Sequence, residues 1–359
     1  MRSSSCVMGL CAPIALSLML AAASPRARAD ELRRDLTRDH PAAGIERMEI
    51  QNPAGLIEVL GEPREDFSFE IRFRLSGRKG VDTQSLLDRL GLAMESANGL
   101  LKVAPTFEGK ALGGSLGGPL QDVRLRVDIV ARSPRRMALT AAVTSGDLRI
   151  QDLEGDAALS ATSGEATVNR LGGDLMLTST SGDLELQDLK GRVDVTTTTG
   201  DIVLRRMARN VWVHSLSGDI NVEGVTGDLD VNNVNGDVAV DDVGGKTTLA
   251  SSSGQILAEA CAGALQINSS SGNITVISEG GAGQTLRLVS ASGSVEVLLG
   301  AQAAFNLDLN TATGSIRCRL PLEVRDVSRR NLAAVLGGGG KPLKVVTATG
   351  DIRILRQED

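Results

Sequence analysis

Six carboxylates fall eighteen residues apart: Asp147, Glu165, Asp183, Asp201, Asp219 and Asp237. If the chain stacks with that period, they form one column with neighbours about 5 Å apart. Carboxylates so close repel unless each is hydrogen-bonded or a cation bridges them. Ca²⁺ is the hard ion that accepts several such ligands, and Asp183, Asp201, Asp219 and Asp237 are its candidate column. The nonapeptide calcium pattern of paired glycines alternating with Asp is absent. The expected role is therefore plainer: each Asp after a glycine accepts backbone N–H groups in a turn. No metal site and no cofactor are expected.

A second constellation surrounds the single tryptophan, in the segment RRMARNVWV. Trp212 is expected to point outward beside Asp194 one layer before and Asp230 one layer after, with Arg192, Asn210 and Asp228 adjacent. Arg209 stands where a glycine is otherwise found. An indole is a stacking platform for a sugar ring, and a pair of carboxylates is what glycoside hydrolysis needs. Two layers would hold those carboxylates about 10 Å apart, near the upper limit for an inverting pair. Departures from a local rule are where function is worth seeking. The competing reading is drift plus an incidental surface indole. His40 and His214 are the only histidines, no Cys/His spacing suggests zinc, and no catalytic signature stands out.

The elements that must position these residues follow from glycine. It stands at 146, 164, 182, 200, 218, 236, 254 and 272, each 18 apart, and at 155, 173, 191, 227, 245 and 263 halfway between. The first halves read VTSGDLRI, STSGDLEL, SLSGDINV; the second read DLEGDAAL, DLKGRVDV, GVTGDLDV. Four residues after the glycine position, fourteen of fifteen halves carry Ile, Leu or Val, Ala258 being the exception. Two residues after it, all but Ala157, Ala166 and Thr247 do. Apolar residues at alternate positions mean a strand with one buried face, and β-branching with a glycine every nine residues opposes a helix. An antiparallel meander also accommodates a turn every nine residues. Each half, however, resembles the half 18 residues away more than its neighbour, which like-on-like parallel stacking explains. The expected fold is all-β: a parallel β-solenoid of about 18 residues per turn, two strands per turn, whose coils are stabilised by their neighbours. The glycines belong at corners that need positive φ or close backbone approach.

The Ser/Thr runs at 178 to 181, 196 to 199, 251 to 253 and 269 to 271 fit either a regular hydroxyl array, as in ice-binding solenoids, or an internal or corner ladder of small hydrogen-bonding residues. The ladder is the expectation. Ahead of the repeats, residues 45 to 75 read as strands, Asp82 to Leu90 as a short helix burying Leu86, Leu87 and Leu90, and LAMES and LLKVAP around Asn98-Gly99 as a hairpin. LGGSLGGP at 112 to 119 reads as a loop. Beyond Val276 the glycine spacing loosens to 21 and then 36, with LGGGGKP inserted at 336 to 342. Irregular ends are expected of a solenoid, because open edges polymerise unless capped. The organisation is thus a leader at 1–29, a β-rich flank and cap with the helix at 30–141, regular 18-residue repeats at 142–276, and irregular turns with a cap at 277–359.

The leader is an apolar run from about Cys6 to Ala23 after Arg2, ending in Ala27-Arg28-Ala29, which reads as a cleaved signal peptide. Pro13 argues against a spanning anchor. The whole chain carries a net charge of −6, and cleavage removes three arginines and no acid. Nucleic acid is excluded as a partner for want of a basic face. Cys261 and Cys318, which remain after cleavage, are expected as thiols several layers apart and not as a bridge.

The units TSGDLRI, TSGDLEL, TTGDIVL, LSGDIN and ATGDIRI, with NPAGLIEVLG, the short helix, the hairpin and Pro134 before the first repeat, resemble a bacterial family of unknown function that carries the adhesin label and is built of SGDI-type β-strand repeats. The resemblance covers residues 45 to 356 and implies a solenoid in an exported or membrane-associated protein; it supplies no catalytic residues. The expected function is a non-enzymatic scaffold or adhesin-like interaction surface in the cell envelope, periplasmic, or else at the cell surface or secreted. Its partner is an envelope protein or glycan, with membrane association only through a protein partner. The alternative is a glycan-binding protein or weak glycoside hydrolase using Trp212, Asp194, Asp230 and Arg209.

Overall fold

The computed structural model describes residues 31–77, 81–112, 120, 123–280 and 284–357. The leader read at 1–29, and all but Leu112 of the loop read at 112–119, lie outside the described residues. The chain is a parallel β-solenoid with two strands in each 18-residue turn. Strands Leu148–Leu153, Ala166–Leu171, Leu184–Leu189, Ile202–Met207, Ile220–Val225 and Val238–Val243 pair in parallel and in register along one sheet, here sheet A. Strands Ala157–Ser163, Leu175–Ser181, Val193–Thr199, Val211–Ser217, Leu229–Asn235 and Thr247–Ser253 do so along sheet B.

The core lies between the sheets and is filled by the alternating aliphatics, among them Leu186, Leu204, Val222, Val195, Val213 and Val231, each at 0 % exposure. At ~1.5–3 kcal/mol per fully buried aliphatic, each coil is held by contacts with the coils above and below. Toward one end of sheet B the inward position turns polar: Ser179, Thr197, Ser215, Asn233, Ser251 and Ser269 are buried in one column. Several of these cap backbone carbonyls, as Thr197 does at Thr199 and Ser251 at Ser253. The expected corner ladder is this column; Thr196, Thr198, Ser252 and Ser270, between its members in sequence, face outward.

The two glycine columns solve different problems. Gly164, Gly182, Gly200, Gly218, Gly236, Gly254 and Gly272 have φ of 120–128°, and a Cβ there would also strike the glycine carbonyl of the coil before, as at Gly218, 2.1 Å from Gly200 O. The halfway glycines lack the positive φ and are set by proximity alone: a Cβ on Gly191 would lie 2.0 Å from Gly173 O.

Residues 47 to 62 form a coil of the same kind. Strand Arg47–Ala54 pairs with Ala138–Ser145, strand Ile57–Glu62 pairs with Leu148–Leu153, and Gly55 stacks beneath Gly146. The N-terminal end is then closed layer by layer. Strands Val123–Pro134, Asp66–Gly77 and Leu32–Pro41 extend sheet A. The hairpin Leu90–Ala97/Leu100–Phe107 extends sheet B, and helix Thr83–Asp88, capped by Asp82 accepting from the Ser85 N–H, packs under the outermost strands. Phe67, Phe69 and Phe73 are fully buried there. Within this cap Asp128, 6 % exposed, accepts from the Leu56 N–H and is paired with Arg74 and Arg126.

At the other end, chain order and stacking order part. Strands Lys341–Thr349 and Ile352–Arg356 insert between the coil of Leu286–Ser292/Val295–Leu299 and that of Phe305–Thr311/Ile316–Cys318. Gly350 therefore stacks on Gly293, and Gly314 on Gly350. Cys261 is buried and Cys318 half-buried, both as free thiols; burial pushes the Cys261 thiol up to about 11.

Candidate functional site

The aspartate column is a hydrogen-bond ladder between coils. Asp183 Oδ1 accepts the N–H of Asp201 at 3.0 Å, Asp201 that of Asp219 at 2.9 Å, Asp219 that of Asp237 at 2.8 Å and Asp237 that of Gln255 at 2.7 Å. Asp147 reaches the Glu165 N–H at 3.4 Å. The donor thus belongs to the following coil, not to the residue's own turn. Each of these five aspartates is satisfied by a backbone dipole, which is how like charges persist at this spacing, whereas the longer Glu165 side chain accepts no such bond among the described residues and leaves a gap in the ladder. Among the described residues, no group of three or more His, Cys, Asp or Glu is placed to hold a metal ion.

The other corner has its own ladder, and the tryptophan sits beside its break. Asp156 accepts from the Asp174 N–H, and Asp174 from the Arg192 N–H. Arg192, having no acceptor, offers none to Asn210; the ladder resumes with Asn210 accepting from Asp228, and Asp228 from Lys246. Arg209 is exposed at this corner, in the place of a glycine.

Strand pairing places Trp212 directly between Asp194 and Asp230 on the outer face of sheet B. The Arg192 guanidinium lies over the indole at 5.8 Å and within 3.6 Å of Asp174. Trp212, Asp194 and Arg192 line an open hollow of 580 Å³ together with Ala158, Met176 and His214. Asp230, held by the Asn232 amide at 2.8 Å, and Arg209 are not part of that lining.

A second hollow, of 610 Å³, adjoins the first through His214 and continues along the same face. Its walls are the outward columns that begin at Thr196 and Thr198, and in it Leu216 and Val234 are 54 % and 38 % exposed. Met176, in the first hollow, is 60 % exposed. The sequence does carry a signal for this surface. Leu216 and Val234 interrupt a column otherwise made of Thr180, Thr198, Ser252 and Ser270, and Met176 stands where an outward residue belongs. The outcome is an axial groove with an acid-rimmed aromatic half and an uncharged half of hydroxyl, amide and aliphatic groups.

A further corner column was not evident as such from the glycine pattern. Asp152, Arg170, Asp188, Arg206 and Asp242 have φ of 54–60°, and Gly224 shares their register. Arg170 grips Asp152, and Arg206 grips Asp188, each through two hydrogen bonds of 2.6–2.8 Å. These bonds hold both carboxyls below the usual carboxylate range.

Among solved structures, the chain is similar to a "putative cell adhesion protein" from Clostridium sporogenes, at 10 % identity over 91 % of this chain and 100 % of that one, with a TM-score of 0.18. A "putative adhesin" from Parabacteroides distasonis aligns at 14 % identity over 74 % and 97 %, TM-score 0.36. Another from Bacteroides fragilis aligns at 14 % over 90 % and 97 %, TM-score 0.27. No curated protein matches the chain significantly. The family model described as Toastrack DUF4097 matches residues 128–209 and 192–355, which together span more than half of the sequence and hold every regular repeat, and the chain belongs to that family.

Proposed function

We propose that this protein works without catalysis, as an exported scaffold in the bacterial cell envelope whose outer sheet-B face is an adhesin-like interaction surface. The observation that carries this reading is the axial groove: exposed Met176, Leu216 and Val234, with Trp212 beside them, stand on a face whose backbone is fully paired. A face so built offers side chains to a partner and no strand edge. The carboxylates that looked most like a reactive array are occupied in holding coil to coil. Membership of the Toastrack family agrees with a scaffold role, and the apolar leader supports export. Among the described residues, no helix is long and apolar enough to cross a membrane, and attachment there is proposed to run through a protein partner.

Glycan binding is the second reading, favoured by one arrangement: an indole in a hollow with a guanidinium stacked on it and Asp194 alongside. Hydrolysis is less favoured. Asp194 and Asp230 are separated by two strand spacings, about 10 Å, with the indole standing between them, whereas inverting pairs are roughly 6.5–9.5 Å apart across open space. Binding of envelope glycan fragments and of envelope proteins, measured with Trp212→Ala and Leu216→Asp variants, tests both readings. Protein binding lost with Leu216→Asp supports the scaffold. Glycan binding lost with Trp212→Ala supports the second reading, and turnover of any glycan overturns the non-catalytic one.

A further inference from the structure

The two ends of the solenoid are finished differently. At the N-terminal end sheet A runs one strand further than sheet B, three added strands against two, and helix Thr83–Asp88 covers the excess, set against the strands Leu32–Pro41 and Asp66–Gly77. The outermost strand there, Leu32–Pro41, carries Arg33, Arg34, Asp35, Arg38 and Asp39, charges on both of its faces that blunt the free edge. At the C-terminal end the layers are not matched. Sheet A stops at the three-residue strand Ile316–Cys318, which has a neighbour on one side alone among the described residues. Sheet B continues past the paired strand Phe305–Thr311 by two further strands, Asn331–Leu336 and Leu322–Val327.

This overhang presents the wrong face to water. Leu322, Val324 and Val327 lie opposite Leu336, Ala334 and Leu332, which lie opposite Phe305, Leu307 and Leu309 of the core. Residues opposed in antiparallel pairs share a face, so all three point to the core side. The irregularity between Val324 and Asp326 makes Arg325 the extra residue and returns Val327 to that face. Val324 and Val327 are nevertheless 54 % and 66 % exposed, because sheet A has no strand left to cover them.

We propose that a second copy of this chain covers them, the two C-terminal ends interlocking about a two-fold axis that runs parallel to the strands, midway between the sheets. The step is self-complementary. An overhang two strands deep, about 10 Å, fits a recess of the same depth on the inverted copy. Strand Leu322–Val327 of one copy then pairs antiparallel with the free edge of Ile316–Cys318 on the other, twice, and the exposed valines of both copies meet across the core. Charge agrees with this pairing: the receiving edge carries the exposed Arg317 and Arg319, and the arriving strand carries Glu323 and Asp326, with one cation, Arg325, at the bulge between them. None of Arg317, Arg319 and Glu323 has an ion-pair partner among the described residues. The contact is isologous and closes at two copies, whereas joining C-terminal end to N-terminal end would build a filament.

Sedimentation of the natively processed protein tests this directly. A dimer is expected, with Val324→Asp/Val327→Asp giving a monomer whose circular dichroism spectrum is unchanged, since both side chains are solvent-exposed in the single chain, and whose melting temperature, unlike that of the wild type, no longer rises with protein concentration. Arg317→Glu weakens the dimer by about tenfold or more, and adding Glu323→Arg to the same chain restores it. A wild-type monomer, a dimer indifferent to the valine changes, or filaments abolished by Asp35→Arg at the opposite end would each overturn the proposal.

Discussion

The Asp219 carboxylate accepts the backbone N–H of Asp237, its counterpart one coil further on, at 2.8 Å. The motif's acid therefore binds layers together and tolerates its like-charged neighbours because each has a backbone dipole to face. Asn has the same acceptor oxygen without the charge. Asp219→Asn is expected to change stability by less than about 0.5 kcal/mol, and Asp219→Ala to cost about 1 kcal/mol by leaving the Asp237 N–H to water. Chemical denaturation of the two variants checks the difference; equal losses would mean that charge, not acceptance, is what the column needs.

Calcium should add little to a ladder so occupied. A ligand that binds the native state raises its stability with concentration as RT ln(1 + [L]/Kd). Melting of the protein in millimolar Ca²⁺ and in chelator is expected to coincide. A saturable rise in melting temperature that Asp201→Asn and Asp219→Asn together abolish would instead place an ion along Asp183, Asp201, Asp219 and Asp237.

Two glycines six residues apart should differ sharply in what their substitution costs. Gly218 combines φ of 128° with a Cβ position 2.1 Å from Gly200 O. Gly218→Ala is expected to cost about 3 kcal/mol or more, from backbone strain and overpacking together. Gly224, at φ 73°, has 3.6 Å of clearance and stands where Asp188, Arg206 and Asp242 adopt the same left-handed conformation. Gly224→Asp should cost less than about 1 kcal/mol. Thermal melts of both variants decide the matter.

What could be read from sequence was what the period repeats. The aliphatic positions named the buried face, the glycines named the corners, Asn98-Gly99 marked a hairpin that the structure contains, and Asp82 to Leu90 marked a short helix that the structure ends at Asp88, Leu90 opening the next strand. Three features escaped because they depend on relations the period does not encode. Local turn chemistry places the donor to Asp219 in its own turn, and only the stacking offset shows that the next coil supplies it. Gly350 stacks between Gly293 and Gly314 although it follows both, since strand insertion leaves no trace in local spacing. The groove around Leu216 is made by outward side chains, whose identity drifts freely because no neighbour in the core constrains them.

Acid should loosen the Asp188 corner. Its carboxyl is held below the ordinary carboxylate range chiefly by two hydrogen bonds from Arg206, so the native state binds this proton less readily than the unfolded chain does. The pair contributes above the unfolded carboxylate's pKa of about 3.9 and the contribution is lost as pH falls through the lower native value. Both groups are more than a third exposed or nearly so, which makes the effect small and sensitive to salt. The wild-type melting temperature is expected to fall more steeply below about pH 4 than that of Asp188→Asn, with the gap narrowing in high salt. Parallel curves would show that Arg206 contributes no net stability here.

Trp212 and Val213 adjoin in sequence and face opposite ways, so truncating each separates surface from core. Val213 is at 0 % exposure between Val195 and Val231. Val213→Ala is expected to cost about 2 kcal/mol through lost burial and the cavity left behind. Trp212 lies on the outer face with solvent on one side and the Arg192 guanidinium on the other. Removing it forfeits a cation–π contact worth about 0.5–1 kcal/mol at an exposed site and leaves no internal void, so Trp212→Ala should stay within about 1 kcal/mol of wild type. Denaturant titration of both variants, beside the binding measurements, checks this. A Trp212→Ala loss as large as that of Val213→Ala would mean that the indole packs the solenoid and is not held out for a ligand.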